Sequence, residues 1–358
     1  MIYLSLACTK VKELALLFGH HSKLRLLDQE ESDIKSLAST LNSLKKLLYL
    51  EIRDCKKLQI ITDLPQSLEI LDARDASSCS SLQNLPELPH CLTTLDVSSC
   101  SSLQSLPKLP KCLKTLDVRG CSLLEALPEL PPSLEVLYAD ECESLKNVLL
   151  IPSTMVEQLK ENKKRVRFTR CFELDEHSLK AVELNAQMNI MKFAHRHLFA
   201  QNHDKAIYVY PGSSVPEWFK YKTTNDYIII DDLSSQVLAF IFCLVIYENS
   251  YHTGREELKM TICDGEGESK SKSDTLTIDD FYIYSPNHVY VYVMYHKKCS
   301  DFLISKAKDL VRFQIHVAYK RIPKQGHIKG FGVSPLNTWT YDNLVQQMKL
   351  RDSLNHFQ

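Results

Sequence analysis

The residues best suited to chemistry in this chain are its cysteines, because Cys79, Cys100, Cys121 and Cys142 recur every 21 residues. Thiols at regular spacing could ligate zinc, close disulfides or act as nucleophiles. Zinc is disfavoured: a structural site takes its ligands from close pairs such as C-x2-C, and these four occur singly. Distance does not exclude a ladder of disulfides, since equivalent positions in stacked strands lie roughly 5 Å apart. Compartment decides against it. The opening Met1-Ile2-Tyr3-Leu4-Ser5-Leu6-Ala7-Cys8 has no basic segment and an apolar run shorter than a secretory signal, so the chain reads as intracellular with reduced thiols. A packing role is left for them, at an inner turn, with a weak S–H bond to a neighbouring backbone group.

Other chemistry is hard to find. There is no G-x-S-x-G elbow, no H-E-x-x-H and no G-x-x-x-x-G-K-[ST], and no cysteine–histidine pairing stands out from chance. Asp264-Gly265-Glu266-Gly267-Glu268 lacks the length and spacing of a calcium loop and reads as a hairpin tip. The expectation is a chain that is not an enzyme and carries no cofactor and no metal.

The cysteines belong to a longer unit. Leu92-Thr93-Thr94-Leu95-Asp96-Val97-Ser98-Ser99-Cys100 recurs as Leu113-Lys114-Thr115-Leu116-Asp117-Val118-Arg119-Gly120-Cys121, with copies at Leu134, Leu137, Ala139 and Cys142 and at Leu47, Leu50, Ile52 and Cys55. This pattern resembles a leucine-rich repeat. Followed through Leu4, Leu27, Leu50, Leu71, Leu95, Leu116 and Leu137, the steps are 23, 23, 21, 24, 21 and 21. Extra residues around Asp75-Ala76-Ser77 account for the longest step, as one bulged turn. Each unit should form a short strand with its leucines inward and its intervening residues outward. Prolines in Leu85-Pro86-Glu87-Leu88-Pro89 and its two successors forbid helical returns, whereas Asp33 to Leu44 could form a short helical one.

A stacked array of this kind offers a surface for a protein partner. One outward column would align Asp28, Glu51, Asp72, Asp96, Asp117 and Tyr138, and the next Glu30, Arg53, Arg74, Ser98, Arg119 and Asp140. Like charges about 5 Å apart repel by roughly 0.8 kcal/mol each in water, so the acidic column needs the adjacent arginines. Two readings stand. The columns form a self-neutralising ladder, or Glu51, Arg53, Asp72, Arg74, Asp96, Asp117, Arg119, Tyr138 and Asp140 bind a partner together with loops Glu248 to Glu257 and Lys320 to His327.

Composition suits a folded chain with two cores: 358 residues, net charge −1, 24% charged and 44% hydrophobic. That balance favours neither general nucleic-acid binding nor disorder, and no apolar run reaches the roughly 18 residues of a membrane span. We divide the chain into about seven leucine-rich units over 1–150, a basic linker over 151–166, a second domain over 167–338 and a tail over 339–358. Lys160 to Arg167 reads as a solvated connector or, alternatively, a nuclear-localisation signal. Leu174, Leu179, Val182, Leu184, Met188, Met191 and Phe193 predict one amphipathic helix or two. Strands follow at Tyr227 to Ile230, Val237 to Tyr247, Leu258 to Ile262, His288 to Tyr295 and Val311 to Tyr319, which suggests an antiparallel β-sandwich. The fold class is therefore mostly β: a leucine-rich-repeat solenoid, then a jelly-roll-like sandwich introduced by a helix.

Tyr210-Pro211-Gly212-Ser213-Ser214-Val215-Pro216-Glu217-Trp218-Phe219 has a structural reading, with Gly212 supplying turn geometry and Trp218 and Phe219 sealing an edge. This run, with Ile228-Ile229-Ile230-Asp231-Asp232-Leu233, Arg167-Phe168-Thr169-Arg170-Cys171-Phe172 and Ile328-Lys329-Gly330-Phe331-Gly332-Val333-Ser334-Pro335-Leu336, resembles the post-repeat jelly-roll domain of plant TIR–nucleotide-binding–leucine-rich-repeat receptors. The resemblance spans Leu4 to about Leu336. It implies an intracellular immune receptor, cytoplasmic or nuclear, whose repeats recognise a pathogen effector or a guarded host protein. The TIR domain, with its NAD-cleaving glutamate, and the nucleotide-binding domain are missing from this chain, so neither activity is expected, and both domains become further partners. Beginning inside a repeat suggests a receptor fragment, or a truncated product acting as decoy or adaptor.

Overall fold

A strand of three residues buries too little to be stable alone, and the first half of the chain solves this by repetition. The computed structural model describes residues 2–9, 23–37, 39–55, 57–74, 82–150, 162–198, 205–225, 227–231, 236–248, 254–264, 274–283, 288–307, 312–319 and 328–337, with four positions between 342 and 346. Two units are distinguished, Met1–Val182 and Glu183–Gln358.

In the first unit, β1 (Tyr3–Ser5), β2 (Leu26–Asp28), β4 (Tyr49–Glu51), β6 (Ile70–Asp72), β7 (Thr94–Asp96), β8 (Thr115–Asp117), β10 (Val136–Tyr138) and β12 (Arg165–Arg167) pair in parallel in chain order. Their register sets Leu4, Leu27, Leu50, Leu71, Leu95, Leu116, Leu137 and Val166 in one row. From Leu27 onward every member of that row is fully buried. This is a leucine-rich-repeat solenoid. A second, thinner edge carries two-residue parallel pairs, β3 (Ser36–Leu37) with β5 (Ile60–Ile61) and β9 (Ala126–Leu127) with β11 (Asn147–Val148). The expected helical return near Asp33 is a 3-10 turn over Ser39–Ser43, and the proline-bearing returns are irregular.

The rungs are clamped by two sets of bonds. After β2, β4, β7, β8, β10 and β12 one residue takes a left-handed conformation: Glu31, Asp54, Ser99, Gly120, Glu141 and Arg170 have φ between 54° and 71°. Its amide donates forward to the next rung, as from Asp54 to Arg74 O (3.1 Å) and from Gly120 to Asp140 O (2.8 Å). Ser32 follows Glu31, and after each of the other five comes the repeat cysteine, which donates backward: Cys55 Sγ to Gln29 O (2.9 Å), Cys100 to Ala73 O (3.3 Å), Cys121 to Val97 O (3.2 Å), Cys142 to Val118 O (3.1 Å) and Cys171 to Ala139 O (2.9 Å). The described cysteines are free thiols. Cys79 and the bulged turn at Asp75 to Ser77 lie outside the described residues.

The basic stretch expected as a linker ends differently. Arg165–Arg167 is a rung, with Val166 in the leucine place, Phe168 inward after it and Cys171 donating as its predecessors do. Val166 and Phe168 complete the apolar seam, which is why the solenoid continues through the charged run. Residues 151–161 lie outside the described residues.

A single helix, Glu176–Arg196, follows, and the division between units falls within it. Asp175 caps its start by accepting from the Ser178 amide at 2.6 Å, which holds the exposed carboxyl below its ordinary range.

The second unit contains β13 (Lys205–Pro211), β14 (Tyr221–Thr223), β15 (Tyr227–Asp231), β16 (Ala239–Glu248), β17 (Gly254–Asp264), β18 (Asp274–Ile283), β19 (His288–His296), a short helix Lys297–Ala307, β20 (Arg312–Tyr319) and β21 (Ile328–Leu336). They make two antiparallel sheets, β13-β19-β16-β21-β14 and β15-β20-β17-β18. One apolar cluster joins Phe240, Phe242, Leu244, Tyr292 and Phe331 of the first sheet to Ile228, Ile230, Met260 and Ile315 of the second. Ile241, Cys243 and Val245, on the opposite face of β16, are buried too.

Gly212 has ordinary backbone geometry, which corrects the expectation that it serves a turn: among the described glycines only Gly120 has positive φ. Space is the reason for it. A Cβ on Gly212 would stand 2.7 Å from Val291 Cγ2, and one on Gly332 would stand 2.6 Å from Val215 Cγ1 and 3.1 Å from Phe219 Cδ1. The segment around Val215 and Phe219 therefore lies directly on the glycines of β21, and Phe219 is 2% exposed with its ring centroid 4.0 Å from that of Trp218.

Two substitutions test this packing. Leu116→Ala should cost about 2–5 kcal/mol in denaturant unfolding, since the residue is wholly enclosed by neighbouring rungs. Gly332→Ala should cost about 1–3 kcal/mol by overpacking against Val215, and Val215→Ala in the same chain should recover most of that loss.

Candidate protein-binding surface

Outward positions of successive solenoid strands stack because the leucines between them do. Asp28, Glu51, Asp72, Asp96, Asp117 and Tyr138 are consecutive register partners, and Arg167 extends the column on β12. Two residues further on, Glu30, Arg53, Arg74, Ser98, Arg119 and Asp140 follow the strands as the second column.

The aspartates do structural work that periodicity did not disclose. Asp28 Oδ1 accepts from the Glu30 amide (3.0 Å), Asp96 Oδ1 from the Ser98 amide (3.0 Å) and Asp117 Oδ1 from the Arg119 amide (3.1 Å). Each carboxylate thus satisfies a backbone donor as the chain leaves the strand, a local bond that a short acidic side chain makes well. The recurrent Leu-Asp dipeptide is the sequence signal for it.

The arginines return the charge. Arg53 lies 3.5 Å from Glu30, 3.2 Å from Glu51 and 3.6 Å from Asp72, while Arg74 meets Asp72 at 2.9 Å. Arg119 grips Asp117 through Nε and Nη2 at 2.6–3.0 Å and lies 5.2 Å from the centre of the Tyr138 ring. These hydrogen bonds to Asp117 push the Arg119 guanidinium further up, so it stays charged. Asp140 is buried, accepts from the Thr169 amide at 3.1 Å and lies 3.3 Å from Arg167, an internal support beneath the surface.

Compensation is incomplete. From the second to the sixth rung, six carboxylates (Asp28, Glu30, Glu51, Asp72, Asp96, Asp117) face three arginines (Arg53, Arg74, Arg119). Burial, then the charge of Asp96, raises the Asp72 carboxyl above its ordinary range against the pull of Arg74 and Arg53. Burial raises Asp117 as well, opposed by Arg119 and reinforced by Asp96.

A third outward column escaped the sequence reading. The residues one place before the leucines, Leu26, Tyr49, Ile70, Thr94, Thr115, Val136 and Arg165, are also register partners. Their signal is the second x of Leu-x-x-Leu, next to the buried leucine and apolar in the early copies. Of the loops expected to join the site, residues 249–253 and 320–327 lie outside the described residues. Among the described residues no three histidine, cysteine or acidic side chains are grouped to hold a metal ion, and no helix is long and apolar enough to cross a membrane.

No protein-family model matches the chain, and no curated protein matches it. Among solved structures it is similar to the leucine-rich repeat domain of the type III effector XopL, at 20% identity and a TM-score of 0.34, over 48% of this chain and 62% of that one. The chain thus spans about three fifths of the length of that structure. A Leptospira interrogans LRR protein overlaps 49% of this chain and 80% of its own, at 12% identity and a TM-score of 0.15.

Substituting Asp96→Asn tests the charge balance. The amide keeps an oxygen for the Ser98 bonds and removes a charge that repels both Asp72 and Asp117 while attracting Arg119, two repulsions against one attraction. A carboxyl whose folded pKa is raised loses stabilisation as pH climbs through and above the ordinary carboxylate range. The variant should therefore be more stable than the parent by about 0.5–1 kcal/mol at pH 7 and low salt. That gain should shrink toward pH 4 and in high salt, as followed by thermal unfolding.

Proposed function

We propose that this chain is the partner-recognising portion of an intracellular plant immune receptor of the TIR–nucleotide-binding–leucine-rich-repeat class, holding a pathogen effector or a guarded host protein without catalysing a reaction. The observation that carries the reading is the solenoid sheet itself: three columns of outward side chains in strict register, several of them fixed by ion pairs before any partner arrives. Pre-set arginine and tyrosine side chains are the kind that anchor protein interfaces, because they lose little further freedom on binding. The post-repeat run from Tyr210 to Phe219 supports the receptor class by its resemblance. The second unit, with two antiparallel sheets around one core, suits a sandwich of the jelly-roll kind. Recognition needs no cofactor, and the TIR and nucleotide-binding portions would act on the chain as further partners. The proposed setting is cytoplasmic, with nuclear entry as the alternative.

The test is charge reversal on exposed arms of the face. Arg74→Glu with Arg119→Glu, placed in the full receptor, should abolish the partner-triggered response while protein level and circular dichroism stay unchanged. An undiminished response at normal protein level moves recognition off this face. Because Arg119 also holds Asp117, Tyr138→Ala serves as a milder companion and should weaken the response in the same direction.

A further inference from the structure

Two features of the solenoid sheet go unused by its own stability. The first is apolar. Leu26, Tyr49 and Ile70 are direct register neighbours on the outward face, and Tyr49 is 37% exposed. The core does not need them, since Leu27, Leu50 and Leu71 between them and the next outward column are already fully enclosed. Register partners in adjacent strands stand about 5 Å apart, so the three side chains form one continuous stripe.

The second feature is the negative excess beside that stripe. Asp28, Glu51, Asp72 and Asp96 run parallel to it with Glu30 behind; Arg53 and Arg74 stand among them, and Arg119 on the next rung reaches Asp96 by charge but is bonded to Asp117. Arg53 is already shared by Glu30, Glu51 and Asp72, and Arg74 turns back to Asp72. The bonds of Asp96 go to the Ser98 amide and hydroxyl, neither of which carries a charge. At the other end the sign changes: Arg165, exposed in the stripe column, replaces an apolar residue on β12, while Arg167 in the acidic column is paired with buried Asp140. The face is therefore graded, apolar and acidic at the early rungs and basic at the last.

Resting on the recognition face proposed above, we infer that the early rungs dock a partner segment that alternates lysine or arginine with bulky apolar side chains. Its apolar residues would lie on Leu26, Tyr49 and Ile70 and its cations against Glu51, Asp72 and Asp96. An extended segment places alternate side chains on opposite sides of its backbone, so one row can reach the stripe while the other leans to the carboxylates. Charge complementarity selects this chemistry: an acidic segment or a nucleic-acid phosphate would meet the carboxylate excess, and a purely polar basic one would leave the stripe wet. Burial and the charge of Asp96 already hold Asp72 up, and an arriving cation relieves that repulsion.

The experiment uses the whole chain and three labelled ten-residue peptides, alternating lysine–leucine, glutamate–leucine and lysine–serine, followed by fluorescence anisotropy at low and high salt. The lysine–leucine peptide should bind, weaken as salt rises, and lose about tenfold in affinity with Tyr49→Ala or with Asp96→Asn. Both substitutions sit on the surface, and Asp96→Asn is expected to stabilise the fold, so a loss of binding does not reflect unfolding. Binding of the glutamate–leucine peptide, lost in the Arg74→Glu, Arg119→Glu chain, would overturn the stated chemistry while leaving the face as the recognition site. Equal binding of lysine–leucine and lysine–serine, or no effect of Tyr49→Ala, would overturn the role of the stripe. Absence of binding by every peptide, with the receptor response still sensitive to Arg74→Glu and Arg119→Glu, would overturn this inference and keep the broader reading.

Discussion

Each strand of the solenoid contributes essentially one inward leucine, and that leucine is dry only because a rung on either side covers it. Everything else about the first unit follows from this mutual coverage. Parallel register is compulsory, because a slip of one residue would turn the leucine row to solvent and the charged row inward. The left-handed residue and the cysteine after it then fix the distance between rungs, one donating forward and the other backward. Five of the six described left-handed positions between Glu31 and Arg170 are not glycine, so their strain is held by the stacked neighbours rather than removed by composition.

The same coverage explains why aspartate and arginine occur together on the surface. A strand that ends after three residues leaves an amide exposed at its exit, and the aspartate next to the leucine caps it. Repetition then multiplies a local convenience into a column of like charge, whose repulsion the nearby guanidinium groups reduce. Asp140 with Arg167 shows the arrangement carried inward, and Arg119 with Asp117 and Tyr138 shows it at the surface. A ladder that balances itself and a site that receives a partner are thus not exclusive: the balance fixes the side chains, and the excess at the early rungs gives a partner something to neutralise.

The solenoid was largely legible in the sequence because its determinants are local and periodic. Leu4 through Leu137 could be placed from spacing alone, and period two put Asp72 and Arg74 on the outer face. What escaped lacked the leucine. Val166 replaces it on the last rung, so charge around Arg165 masked a strand, and β3, β5, β9 and β11 are too short to carry a pattern. In the second unit, β13, β14, β18, β21 and the helix Lys297–Ala307 carry no pattern that the sequence reading names, and β17 is longer at both ends than its apolar stretch. The purpose of Gly212 and Gly332 depends on side chains of distant segments, which no local reading supplies. For the site, column membership was readable, whereas the capping bonds of the aspartates and the burial of Asp117 and Asp140 arise only once neighbouring turns stack.

The backward-donating cysteines have a practical side. Burial pushes the Cys121 thiol well above its ordinary range, and a hydrogen bond with Cys171, then burial, does the same to Cys142, while the nucleophile in alkylation is the thiolate. While the rungs stay shut, these sulfurs are chemically silent, whereas Cys8 and Cys91 are exposed. Each ladder cysteine is therefore a native, position-coded sensor of the rung that contains it. A brief pulse of alkylating reagent, read by mass, would rank the rungs by how often they breathe, with no label added to the chain.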